Sequence, residues 1–291
     1  MTIETLFDNG QAGLTVYSPD CTRSGLWGNI DQAIHGKTGF EPIYRTWFHH
    51  DYNSVMRFYA EGDEPPPQVD DVEAAARKYD AVPVSELQYG HLFVKLMFTG
   101  PALLTIWQGE DAIAKLLAVK GATHPAKAEA GTIRGSLWCD NAICNLMHSS
   151  DDLSEARREV TALGLDDVLG LEPISHPLID AVEPSSVAHS GVIMLYKLAQ
   201  RYAIASGAPA VEPVPLLTDS DATTTNQRFT NALKIIAGTE PTSTIGRLVA
   251  AYLAGDVVAA TALLQPMPAT PWERFVVQCG AITRDEWRSD Q

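Results

Sequence analysis

Apolar positions along the chain change period several times, and each change predicts where a strand gives way to a helix. Leu14-Thr15-Val16-Tyr17 is a short β-prone run that stops at Ser18-Pro19-Asp20, so a strand is expected there. Leu26, Ile30, Ala33 and Ile34 recur at helical spacing, which predicts a helix over 26–35. Ile43 to Phe48 has the β-branched and aromatic composition of a second strand. Ser85 and Gln88 are spaced like the two halves of a capping box, predicting a helix that runs on through Met97. Leu103–Trp107 is a third expected strand, Asp111 to Val119 a helix, and 121–135 a loop containing Gly and Pro. Ile143 to Met147 is an apolar run with strand character, and Ser149-Ser150-Asp151-Asp152 introduces a helix over Leu153–Ala162.

From about residue 166 the texture changes. Pro173, Pro177 and Pro184 punctuate an irregular stretch, and Pro209, Pro213 and Pro215 a second one. Around them the period is helical over 192–205, 226–237, 243–254 and 256–264, each closed by Gly or Pro. The pattern therefore predicts a tail over 1–12, an α/β domain over 13–165 and a helical extension over 166–291. Within the domain, 61–83 is expected to be an insertion; its acidic, three-proline part at 61–71 belongs on the surface.

The chain has 291 residues, with 21 Lys+Arg against 36 Asp+Glu and a formal charge of −15. Such a charge argues against gripping nucleic-acid backbone, whose affinity comes from neutralising phosphates. It leaves room for a small phosphorylated ligand, which a few local cations and backbone amides can hold. No uninterrupted run of 18 apolar residues occurs, so no membrane span is expected. Met1-Thr2-Ile3-Glu4-Thr5 has neither a basic nor an apolar leader region, so no secretory signal is expected. The four cysteines, Cys21, Cys139, Cys144 and Cys279, form no C-x-x-C pair and are expected as reduced thiols in a cytoplasmic protein.

The stretch richest in chemistry is Gly131-Thr132-Ile133-Arg134-Gly135, followed by Asn145-Leu146-Met147-His148-Ser149-Ser150-Asp151 and Glu159. His148 leaves an apolar run and meets a Ser/Ser/Asp helix start, and Glu159 lies two turns into that helix. A carboxylate that fixes the tautomer of an imidazole frees its other nitrogen as a nucleophile. Arg134 is a bidentate cation suited to phosphate oxygens. The plain structural alternative is a core histidine that caps a helix. His49-His50-Asp51 is a weaker candidate for metal ligation, since adjacent residues at a strand end face different ways; no metal site is expected.

These residues resemble the nucleoside diphosphate kinase family, whose signature is N-x-x-H-G-S-D with a Glu eleven residues after the His. Asn145, His148, Ser150, Asp151 and Glu159 occupy those places, with Ser149 where the family has glycine. The G-T-I-R-G at 131–135 is intact, Met97-Phe98-Thr99-Gly100-Pro101 matches M-x-S/T-G-P, and Trp107-x-Gly109 matches W-x-G. Thr123-His124-Pro125-Ala126 matches T-N-P-A with histidine in place of asparagine. Gly25-Leu26-Trp27-Gly28-Asn29-Ile30 and Gly39-Phe40 match G-L-x-G-x-I and G-F. The resemblance spans 13–165 and implies a ferredoxin-like α+β sandwich with an antiparallel sheet.

It further implies ping-pong transfer of phosphate from nucleoside triphosphates to diphosphates through phosphohistidine at His148, with Mg²⁺ carried on the nucleotide phosphates. Glu159 would orient the ring, Thr123 and Arg134 would hold phosphate, and Asn145 would contact the sugar. Tyr89 would stack on the base beside Phe93, although both also fit ordinary amphipathic-helix packing. A homo-oligomer is implied, with no nucleic-acid or membrane partner.

Three departures bear on activity. Ser18-Pro19-Asp20-Cys21 stands where the family has K-P-D-G, so a phosphate-facing lysine is replaced. Leu117 stands where the family has an arginine, and 61–83 enlarges the segment before the base-stacking helix. One extra residue also separates Arg134 from Asn145. Loss of two such cations would cost on the order of 10³-fold in rate. Lys120, one turn after Leu117, and Arg23, near Ser18, are the candidate compensating cations. The alternatives to kinase chemistry are a phosphohydrolase, in which water takes the phosphoryl group, and a nucleotide-binding or assembly module with vestigial catalysis.

Overall fold

The computed structural model describes residues 1–59, 66–181, 187–207, 210–211 and 222–287. Glu61–Pro65 of the acidic run, together with Pro184, Pro209, Pro213 and Pro215, lie outside them. In chain order the first elements are α1 (Ile3–Asp8), β1 (Ala12–Tyr17), α2 (Pro19–Ser24), α3 (Trp27–Thr38) and β2 (Glu41–Phe48). There follow α4 (Tyr52–Phe58), α5 (Val72–Asp80), α6 (Tyr89–Met97), β3 (Ala102–Gln108), α7 (Ala112–Lys120) and α8 (Ile133–Ser136). Then come β4 (Met147–Ser149), α9 (Leu153–Ala162) and α10 (Asp166–Leu169). The last five helices are α11 (Gly191–Ser206), α12 (Ala222–Thr239), α13 (Thr244–Leu253), α14 (Val257–Leu264) and α15 (Pro271–Ile282).

The contacts divide the chain into two compact units. One comprises Met1–Ala81, Val94–Lys120 and Leu146–Pro184; the other comprises Val82–Phe93, Gly121–Asn145 and Ser185–Gln291.

The first unit is built on a four-stranded sheet in the order β2-β3-β1-β4, with every neighbouring pair antiparallel. Ala12, Leu14 and Val16 alternate onto one face of β1, where they join Ile3, Leu6, Phe7, Phe58, Ala156 and Val160 in a buried apolar cluster. That face is covered by α1, α4 and α9. Gly13, on the opposite face, lies against α7: a Cβ there would meet Leu116. The arrangement is the antiparallel α+β sandwich that was expected, and the described residues after 187 are mostly helical.

Opposite the apolar cluster lies a buried polar network. Arg45 of β2 donates from Nη2 to both oxygens of Asp31 at 2.6 Å, and Tyr17 donates its hydroxyl to Oδ1 at 2.8 Å. The Ile179 amide donates to Oδ2 at 2.9 Å. Asp31 is fully buried and the Arg45 side chain is 10% exposed, so neither charge has water as a substitute partner. Burial and the neighbouring Asp31 carboxylate push the Tyr17 phenol well above its ordinary range, which keeps it a donor. The segment that supplies Ile179 also runs along β2: the Ile174 amide donates to the Ile43 carbonyl and the His176 amide to that of Pro42.

Several sequence expectations need correction. The strand expected over 143–147 is instead Met147–Ser149. Its predecessor is diverted because the Asn141 side chain accepts from the amides of Ile143 and Cys144, at 3.2 and 2.6 Å. Leu146 then takes a left-handed φ of 76°. The helix expected from Ser85 begins only at Tyr89, because the Gln88 amide donates to His91 Nδ1 and Leu87 is extended at ψ 124°. The helix expected over 26–35 starts at Trp27, with Leu26 as its N-cap, and runs on to Thr38, preceded by the separate turn of α2. Helices α1, α2, α4, α5, α8, α10 and α15 were not anticipated. In α5, Asp71 caps the Ala74 amide at 2.8 Å, so part of the expected insertion is regular structure.

The second unit packs α11, α13 and α15 around Tyr252, which is fully buried. Gly280 is required there: a Cβ would come within 2.4 Å of the Tyr252 hydroxyl. Tyr196 and Phe229 meet edge to face at 5.2 Å and bind α11 to α12. No helix among the described residues is long and apolar enough to cross a membrane.

Two measurements test this account. Asp31→Ala strands a buried guanidinium and is expected to lower unfolding free energy by about 3–5 kcal/mol in urea titrations. Most of that loss should return in Asp31→Ala/Arg45→Met. His50 is 7% exposed, its Nε2 meets no partner, and burial pulls its pKa from 6.5 to about 4. The unfolded chain therefore takes up this proton first. The stability associated with a neutral His50 is complete above pH 6.5 and declines by about 3 kcal/mol as pH falls to 4. His50→Phe should flatten the stability profile in that window.

Candidate active site

β4 carries His148 opposite Val16 of β1, on the face covered by α4 and α9. The Asp152 side chain caps α9 through the Glu155 amide at 2.8 Å, and seven residues further along the helix Glu159 turns inward, 1% exposed. A carboxylate at that depth needs donors on both oxygens. It has them: His148 Nε2 donates to Oε1 at 2.7 Å and Ser150 Oγ to Oε2 at 2.6 Å. A carboxylate only accepts, so Nε2 carries the ring hydrogen and Nδ1 keeps the lone pair. No hydrogen bond to Nδ1 is made among the described residues. The His148 side chain is 24% exposed, open enough to be reached by a ligand.

Phe58 and Tyr59 stand edge-on to the imidazole, with centroids 5.3 and 5.6 Å away. The Phe58 ring also touches His50 at 5.6 Å. His50 itself is buried and bonds to Ser54, and no cluster of three or more metal-ligating side chains occurs among the described residues.

The entry to β4 is held by Asp20, which is fully buried. One of its oxygens accepts from Ser18 Oγ at 2.6 Å, the other from the amide of Leu146 at 2.8 Å. The Ser18 amide in turn donates to the Leu146 carbonyl at 3.1 Å. This bracket holds the left-handed Leu146 one step before the strand. Ser18, in the place of the family's lysine, thus serves the backbone. Leu117 is half-buried on α7. One turn on, Lys120 is 7% exposed and donates Nζ to the Ser149 carbonyl at 3.1 Å, with Asp151 Oδ1 at 3.8 Å. Arg23 donates to the Thr99 carbonyl instead.

The remaining expected residues belong to the second unit. Arg134 is 4% exposed and gives its guanidinium to carbonyls: Nε to Asn145 O at 3.2 Å and Nη1 to Gly121 O at 3.3 Å. Its Nη2 donates to Asn145 Oδ1 at 3.2 Å. Asn145 returns Nδ2 to the carbonyls of Thr123 and Ala142, at 3.1 and 2.8 Å. Gly121 must be glycine, since its φ is +84° and a Cβ would lie 2.5 Å from Thr132 Oγ1. Thr123 is exposed and lines a cleft of about 270 Å³ with Tyr89, Ala122, His124, Lys127 and Ala142. Tyr89 lies parallel to Phe93 at 6.2 Å and donates its hydroxyl to the Ala142 carbonyl at 3.1 Å.

Sequence reasoning missed Ser150 as the second donor to Glu159, Asp20 as the bracket, and Phe58 and Tyr59 as the walls. The sequence marks neither ring as part of a site, and nothing local ties Tyr59 to a histidine 89 residues later.

A family model described as nucleoside diphosphate kinase matches residues 70–163. A nucleoside diphosphate kinase of Gluconobacter oxydans is 30% identical over 148 residues, covering 51% of this chain and 89% of the relative. One from Anaeromyxobacter is 31% identical over 148 residues and is covered to 85% of its length. Human nucleoside diphosphate kinase 3 is 47% identical over 72 residues, which span 25% of this chain and 41% of that protein. The crystal structure of an apo nucleoside diphosphate kinase from Encephalitozoon cuniculi aligns with a TM-score of 0.43 at 22% identity, over 57% of this chain and 94% of that one. With near-complete coverage of the bacterial relatives and His148, Ser150 and Glu159 joined in one hydrogen-bonded set, the chain belongs to the nucleoside diphosphate kinase family.

Proposed function

We propose that this protein is a nucleotide phosphotransferase in which His148 carries the phosphoryl group between a nucleoside triphosphate and a diphosphate acceptor. The observation that carries the reading is the 2.7 Å hydrogen bond from His148 Nε2 to Glu159, which leaves Nδ1 as the nucleophile. The Nδ1 lone pair attacks the terminal phosphorus. The bond from that phosphorus to the bridging oxygen breaks, its electrons stay on the departing diphosphate, and an N–P bond forms. Nε2–H remains on Glu159 throughout, so the positive charge that develops on the ring meets a buried carboxylate. The second half-reaction reverses these events with a new diphosphate.

Mg²⁺, bound to the nucleotide phosphates, would supply part of their charge neutralisation. Tyr89, Phe93, Thr123, Arg134 and Asn145 keep the nucleotide roles that the resemblance implies. Lys120 is the cation that makes up for Ser18 and Leu117. What supports this is its depth and its bond to the Ser149 carbonyl, one residue from the nucleophile. Phosphoryl transfer rests on positioning and charge neutralisation, so a single ammonium held here has a large effect.

Incubation with γ-labelled ATP and Mg²⁺ should give acid-labile, base-stable label on the protein, which a panel of diphosphates then removes. His148→Ala should abolish labelling. Glu159→Ala should slow it by roughly 10²-fold through loss of ring alignment, and Lys120→Met by about 10²-fold through loss of charge stabilisation. Label that leaves only as free phosphate would assign a phosphohydrolase. Tight nucleotide binding with no label would leave a binding module.

A further inference from the structure

The second unit contains both the loop expected to hold nucleotide, 121–145, and the helices after residue 185, and buried hydrogen bonds join them, through His189 to Leu137 and Asn141 and at two further points. The first is Asp140, 2% exposed. Its carboxylate accepts from the amides of Gly191 and Val192 at 2.9 and 2.7 Å and from Ser190 Oγ at 2.7 Å, so it closes the N-terminus of α11. Its backbone carbonyl accepts from Trp287 Nε1 at 2.6 Å. The second point is His124, 4% exposed and adjacent to Thr123. Nδ1 accepts from the Ala126 amide at 3.1 Å, so the ring hydrogen sits on Nε2, which donates to the Thr283 carbonyl at 3.2 Å. The Trp287 ring lies against the same imidazole at 5.8 Å.

The residue type at 124 is informative. The matching family motif has asparagine there, and an asparagine side chain is long enough for the local bond to the Ala126 amide alone. Histidine keeps that bond and adds a second nitrogen at the distance of the chain's C-terminal part. The exchange is what a loop needs if it is to be anchored to structure that the 13–165 stretch does not contain.

We propose that the C-terminal region is a built-in positioning element for the nucleotide loop, acting through His124 and through Asp140 with Trp287. It holds Thr123 at the cleft, and the Arg134–Asn145 pair behind it in the same loop, before nucleotide arrives, so that binding orders less of the chain. His124 and Trp287 are positioning residues: they act on the nucleotide through the loop. This rests on the reading of 121–145 as the nucleotide loop.

The test compares full-length wild type with His124→Asn, which keeps the local bond and loses the reach, and His124→Gln, which keeps the reach. Trp287→Ala removes the bond to the Asp140 carbonyl and the ring contact with His124. Affinity for Mg·ADP is measured by calorimetry, melting temperature by calorimetric scan, and labelling of His148 at saturating ATP. His124→Asn is expected to weaken Mg·ADP binding roughly five-fold, the scale of one net hydrogen bond, with saturated labelling within two-fold of wild type. His124→Gln should bind within two-fold of wild type, and Trp287→Ala should resemble His124→Asn. Unchanged Mg·ADP affinity in His124→Asn, whether or not it melts earlier, overturns the proposal. So does a wild-type protein that binds no Mg·ADP. If wild type takes no label but binds Mg·ADP, the kinase reading fails and the affinity series still decides this one.

Discussion

A carboxylate buried as deeply as Glu159 has to be given two donors, and the first unit is arranged so that it receives them. One comes from Ser150 at the end of β4 and the other from His148 within it. That demand fixes the distance between β4 and α9 and the rotation of the imidazole at once. The apolar cluster beneath, in which Ala156 and Val160 of α9 meet Leu14 and Val16 of β1, supplies the closeness. The acid supplies the direction. Phe58 and Tyr59 then leave the ring little room to swing away, and Nδ1 keeps a lone pair that no described residue takes up.

The same logic recurs wherever this acidic chain buries a charge. Asp31 meets Arg45 and Tyr17, Asp20 meets Ser18 and the Leu146 amide, and Asp140 meets three donors at the start of α11. A net charge of −15 says little about any of them. The carboxylates that matter are those removed from water, and each is matched locally. Two buried cations are held mainly by neutral oxygens: Arg134 and Lys120 donate to backbone carbonyls, which orient a positive group without cancelling it, and the Asp151 carboxylate stands 3.8 Å from Lys120 Nζ.

What was legible in the sequence was whatever local spacing encodes. His148 and Glu159 were readable as partners because a strand end and a helix separate them by a fixed eleven residues. β1, β2 and β3 were readable as short apolar, β-branched and aromatic runs, because β1 and β3 are buried on both faces and β2 in part. The capping-box pattern gave opposite results at two places. Thr270 and Glu273 form both of its bonds behind Pro271, yet that helix was not anticipated; at Ser85 the Gln88 amide goes to His91 and the box does not form. Nearby residues thus compete for the same amide, and the winner is set by tertiary context. Asp20 was invisible as a bracket for the same reason, since its amide partner lies 126 residues away. The fourth strand was misplaced because Asn141, a polar residue before an apolar run, captures the backbone that the run would otherwise pair.

The strip of chain at Ile174–His176 has a consequence for the life of the sheet. β2 is an edge strand, and an edge with free carbonyls invites any extended peptide to add itself. Here two of those carbonyls, on Pro42 and Ile43, are already occupied by the protein's own amides, beside a bulge between Pro42 and Tyr44 that breaks the regular register. The chain in effect completes its own sheet margin with a segment too irregular to pass the pairing on. A newly made molecule that has docked this strip has withdrawn those two carbonyls from any added strand, while the same segment, through Ile179, reaches Asp31.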